Sequence, residues 1–240
     1  MSEHLSRKEL KQDKIRDSIE HGAEAVYSHG RLTGAILLAA LVVGGAVGGW
    51  KIYSDRKNVE ASAAFDAAMK VFSARIRTPG ETVEPGELTY SDEALRSQEA
   101  AAKFSAVADK YSGTNPGKLA RYYAALTLED LERHNQALEE LKKLDAGRDK
   151  ELAAMAQFQI ALISSRTGKS ADAIKILRTI ADKPSVLVPR PMVLLELANV
   201  LRQTNPQEAA GVYLQLKKEF PDSAIAEEAD RGLDTIPPKS

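Results

Sequence analysis

Residues 166–180, RTGKSADAIKILRTI, decide the fold. A short Thr-Gly-Lys-Ser turn leads into a segment where Ala173, Leu177 and Ile180 fall on one helical face. The same face recurs 36 residues upstream as Ala137, Leu141 and Leu144, and 36 residues downstream as Ala209, Tyr213 and Leu216. Ahead of each face, Ala125, Ala161 and Ala198 mark a first helix whose small side chains let two helices pack closely. The unit is thus a helix pair closed by a turn, as at 166–170 and at Gln203-Thr204-Asn205-Pro206. Stacked pairs bury a continuous core, so the expected class is all-α, a helical-repeat solenoid. Composition agrees: 43% hydrophobic, 28% charged and only 5% aromatic residues describe an Ala/Leu/Glu/Lys-rich, helix-favouring chain.

Such pairs resemble tetratricopeptide repeats, although 36 exceeds their usual period of about 34. The third unit matches best, with Leu194, Leu197, Ala198 and Leu201, then Ala209, Tyr213 and Leu216, and finally Phe220-Pro221-Asp222-Ser223. In the first two units the position expected to be large and apolar holds Arg121 and Gln157, which leaves their register open. A last helix over about 223–235, carrying Ile225, Ala229 and Leu233, is expected to cap the open end of the stack.

Between Arg31 and Lys51 lie nineteen uncharged residues, LTGAILLAALVVGGAVGGW. At about 1.5 Å per residue they reach about 28 Å, the thickness of a bilayer's hydrocarbon core, so a single transmembrane helix is expected over Leu32–Trp50. Trp50 and Tyr53 suit the headgroup level. A cleaved signal peptide fits less well, because its apolar region is shorter and the small-x-small site Ala61-Ser62-Ala63 lies beyond a charged stretch. Ala40, Gly44 and Gly48 recur every four residues, as do Gly45 and Gly49, which reads either as a helix-pairing face or as the ordinary glycine content of such helices. Lys14, Arg16 and Arg31 on one side balance Lys51, Arg56, Lys57 and Lys70 on the other, so charge does not orient the span.

Around the span the expected organisation is a tail (1–31) with an amphipathic helix over about 7–28, the span (32–50), a linking helix and Pro/Gly loop (51–90), and the repeat domain (91–236). The linking helix is expected to carry Phe65, Met69, Phe72 and Ile76 on one face and to stop before Thr78-Pro79-Gly80. A net charge of −1 offers no field for nucleic acid. The absence of cysteine excludes disulfides and thiolate metal sites. His4, His21, His29 and His134 show no ligand spacing, and no phosphate loop or nucleophile motif is present, so no catalysis, cofactor or metal is expected. Glu129 with Asp130, and Glu227 with Glu228 and Asp230, read as solvated helix faces.

A function is expected in protein binding. In the expected register the concave face displays Leu119, Tyr122, Leu126, Met155, Phe158, Leu162, Met192 and Leu195, a groove suited to apolar peptide segments. The competing reading is that these residues are core.

A tail, one span, an alanine-rich helix, a Pro/Gly loop and about three helix pairs together resemble the YfgM-like ancillary subunits of the bacterial Sec translocon, over about residues 30–235. That resemblance implies a single-pass inner-membrane protein with its tail in the cytoplasm and its repeats in the periplasm. It implies partners among translocon subunits, exported clients and periplasmic chaperones, and no catalytic residues. A cell-envelope assembly or division scaffold, and a regulatory anchor facing the cytoplasm, are the alternatives.

Overall fold

The computed structural model describes residues 30–236, with side chains from Leu38 onward. The tail helix expected over 7–28 lies outside the described residues, as does Pro237-Pro238. The chain falls into two units, 1–56 and 57–240, each described by itself.

In the first unit the backbone is part of helix α1 (Gly30–Phe72). Every side chain from Leu38 to Tyr53 is exposed, including Leu41 at 77% and Trp50 at 73%. A Cβ added at Gly44 or Gly48 meets nothing within 4 Å. Among the described residues no helix is long and apolar enough to cross a membrane, and the described side chains begin six residues into the uncharged run 32–50.

The second unit starts inside α1. Ala61, Ala68 and Val71 are buried with Phe104 and Val107, so a segment read from sequence as a link belongs to the repeat core. The helix ends at Phe72, short of the expected Ile76. Ser73 and Ala74 close its last turn by donating to the carbonyls of Met69 and Val71. The extended pair β1 (Arg75–Ile76) then lies parallel to β2 (Thr89–Tyr90). β-Branched Ile76 and the proline at 79 both disfavour further helix. Arg75 clasps the intervening loop, donating to Glu81 at 2.6 Å and Glu87 at 2.9 Å.

Eight helices follow: α2 (Glu93–Lys110), α3 (Asn115–Asp130), α4 (His134–Asp145), α5 (Lys150–Arg166), α6 (Ser170–Asp182), α7 (Arg190–Thr204), α8 (Pro206–Glu219) and α9 (Ala224–Asp234). Asp92, Thr114, Asp149, Asn205 and Ser223 begin five of them, each side chain accepting a first-turn amide. From α2 to α9 each helix packs on the next, and α3 also touches α5 as α7 touches α9. This neighbour-to-neighbour contact defines a solenoid of helix pairs.

The core follows the 36-residue period. All twelve residues that define the repeat are buried: the first-helix alanines 125, 161 and 198, and the second-helix sets at 137, 141 and 144, at 173, 177 and 180, and at 209, 213 and 216. The two polar departures keep register. Arg121 donates to Asp109 at 3.2 Å, and Gln157 donates to Asp145 at 2.7 Å; both aspartates lie twelve residues upstream, on the preceding helix. Arg121 also pairs with Glu140 on α4 and donates to the Ala108 carbonyl at 3.1 Å. In the third unit Leu194 fills this place, buried. At the first end of the stack, rings of Phe65 and Phe72 pack on Phe104 and Tyr123 with centroids 5.6–6.0 Å apart, a cluster worth more than its area alone.

Candidate protein-binding face

The first helices of the pairs, α3, α5 and α7, carry all eight residues of the expected groove, in rows set by the repeat. Leu119, Met155 and Met192 form one row, Tyr122, Phe158 and Leu195 a second, and Leu126 with Leu162 the start of a third. The structure divides them. Tyr122 is core, its hydroxyl accepting from Gln159 at 3.2 Å, and burial pushes its phenol pKa up. Met155, Phe158, Met192 and Leu195 are half-buried and packed on the core cluster that runs from α5 to α9. Leu119 is exposed.

Leu126 and Leu162 alone of the eight line a cavity of about 480 Å³, together with Phe72, Glu129, Asp130, Gln159, Ser165, Arg166 and Glu196. Its wall repeats the helix pairs: Glu129 and Ser165 are equivalent, as are Asp130 and Arg166. The size falls within the range of about 300–1,000 Å³ typical of ligand pockets.

Of the pair read as a solvated face, Asp130 is exposed as expected and Glu129 is not. Glu129 is buried, with a side chain only 7% exposed. Its carboxylate sits 3.0 Å from His134 Nδ1 and 2.7 Å from Arg166 Nη2. The arginine lies off hydrogen-bonding geometry, so Oε1 is buried and accepts no hydrogen bond among the described residues. Asp130 beside it is pushed above the ordinary aspartate pKa, by burial first, then by Glu93; Arg96 opposes this and Glu129 adds to it. Phe72, Gln159, Arg166 and Glu196 were not identified in the sequence as members of this face. One signal was present there: Asp130 and Arg166 are opposite charges a single repeat apart, which stacked first helices bring onto one wall. Among the described residues no group of histidine, aspartate and glutamate is placed to hold a metal ion.

A chain of stacked helix pairs with such a face defines a protein-interaction repeat. Residues 27–185 match the family model of the tetratricopeptide repeat-like domain, and residues 192–223 match that of the tetratricopeptide repeat; the chain belongs to the tetratricopeptide repeat-like family. No significant match was found among curated proteins or solved structures.

Proposed function

We propose that this protein is a membrane-anchored module that binds polypeptide segments on the face formed by α3, α5 and α7. The observation that carries the binding role is the cavity at Leu126 and Leu162, lined by both apolar and polar side chains, on a repeat family that serves protein interaction. Anchoring is supported by the uncharged run 32–50 and by the unbroken exposure of Leu38 to Tyr53, more apolar surface than a soluble chain leaves uncovered. Ala40, Gly44 and Gly48, exposed along that run, form the face by which the span pairs with another helix.

The order of parts supports a finer reading: an ancillary subunit of the bacterial Sec translocon, with periplasmic repeats that receive exported proteins and pass them towards chaperones. The test is a photo-crosslinking residue at Leu126 or Leu162 in living cells, followed by partner identification. Translocon subunits or exported proteins in the adducts support the reading. Adducts made only with envelope-assembly or division proteins reject it for a scaffold. Alkaline carbonate washing tests the anchor, since full-length protein should stay with membranes while a 57–240 fragment is released. Isoleucine at Gly44 and Gly48 should lower crosslinking through the span; an unchanged yield rejects the pairing face.

A further inference from the structure

The cavity at α3, α5 and α7 is lined by more carboxylates than cations. Glu129, Asp130 and Glu196 contribute three carboxylates to its wall, and Arg166 contributes one guanidinium. That guanidinium belongs to a side chain 58% exposed to solvent, whereas the Glu129 side chain is 7% exposed and its Oε1 accepts no hydrogen bond among the described residues. A buried carboxylate oxygen held by an ion pair but by no aligned hydrogen bond gains from a donor that reaches it in good geometry. The rest of the lining is of another kind: Phe72, Leu126 and Leu162 are half-buried and apolar. Apolar side chains and carboxylates lining one cavity match one kind of side chain, an aliphatic stem ending in a cation.

We infer that this cavity seats an arginine or lysine of the bound polypeptide, its stem on Phe72, Leu126 and Leu162 and its charged head among Glu129, Asp130 and Glu196. The inference rests on the binding face proposed above and gives it a specificity: segments in which a basic residue stands among apolar ones. Asp130 agrees with this occupancy, because burial and the neighbouring carboxylates Glu93 and Glu129 hold its pKa up against the opposing Arg96 and Arg166. Arg166 then acts as a resident placeholder. Its exposure lets it swing outward when a partner's cation enters, and the incoming cation must take its place on buried Glu129, since that carboxylate is costly to leave without a charge partner.

The test uses the full-length protein in mild detergent and two pools of short fluorescent peptides, random in small and apolar residues. One pool has arginine at the central position and the other has citrulline, which keeps the shape and removes the charge. Anisotropy at low salt should show the arginine pool binding about 5- to 10-fold tighter. The double variant Asp130→Asn, Glu196→Gln should lose that preference while melting as the parent does, since neither carboxylate makes an ion pair among the described residues. Arg166→Gln should tighten the arginine pool relative to the citrulline pool. Equal binding of the two pools, or a preference that survives in the double variant, overturns the cation seat and leaves the binding face standing. Failure of both pools to bind overturns the face and the seat together.

Discussion

Glu132 holds the left-handed backbone conformation that Gly168 adopts one repeat later, with φ of 57° and 79°. The two residues occupy the same place, the turn between the helices of a pair, 36 positions apart. For a residue with a Cβ that conformation costs about 1–2 kcal/mol, and glycine escapes the cost. Glu132→Gly should therefore stabilise the repeat domain by roughly 0.5–1 kcal/mol after glycine's greater freedom in the unfolded chain is subtracted. The exchange in the second turn, Gly168→Ala, should cost about 1–2 kcal/mol. Urea denaturation of a 57–240 fragment measures both, and equal stability of all three proteins would refute the assignment.

Phe158 lies between a surface contact and a core residue. It is half-buried against the cluster around Val193 and Leu197. Complete burial would make Phe158→Ala cost about 3–5 kcal/mol. Half-burial lowers the expectation to about 1.5–3 kcal/mol, with part of the ring left for a bound segment. Thermal melting beside crosslinking from Leu162 separates the two contributions. A loss below about 0.5 kcal/mol would show that the ring does not pack as described.

Low pH should release the loop over 77–88. The Glu81 carboxylate accepts from the Thr78 amide and hydroxyl, each at 2.9 Å, and from Arg75. The Thr78 amide, then Arg75, then the Thr78 hydroxyl lower its pKa from 4.5 to about 2. A depressed carboxylate pKa stabilises the folded loop fully above the ordinary value, and the contribution disappears as pH falls towards the depressed one. Protection of the Thr78 amide in hydrogen exchange, corrected for intrinsic rates, should hold from neutral pH to about 4.5 and fall below it. Glu81→Gln should remove the protection at every pH.

Gly232 is fixed by its neighbour on α8. A Cβ placed there would stand 2.4 Å from Cζ of Tyr213, whose hydroxyl donates to Asn199 at 2.6 Å in a fully buried site. Gly232→Ala should cost roughly 1–3 kcal/mol and speed hydrogen exchange in α9 before the earlier helices. Tyr213→Leu in the same chain should recover part of the loss, so the pair should be less than additive. Uniform acceleration along the whole domain would contradict a local origin.

The helix pairs were legible because an alanine followed by apolar residues four and seven positions on returns every 36 positions, at 137, 173 and 209, and that period survives one or two exceptions. Arg121 and Gln157 obscured the register because each is satisfied by an aspartate on the preceding helix, a partner that periodicity of apolar residues does not reveal. Glu129 was misread for a similar reason. Its burial depends on His134 in the next helix and Arg166 in the next pair, so neither its own helix nor its local charge pattern marks it. The end of α1 was placed too late because Ile76 fits a helical face and an extended pair equally well, and the choice falls to Tyr90, whose carbonyl accepts from the Arg77 amide.

The contacts of Arg121 with Asp109 and of Gln157 with Asp145 make the joints between repeats keyed rather than interchangeable. Excising residues 121–156 would bring Gln157 to Asp109 and fit one lock with the other's key. Excising 157–193 would instead set Leu194 against half-buried Asp145, a carboxylate facing a leucine. The stack can thus shorten in its first half and not in its second, so its repeats carry an order of assembly although their cores look alike.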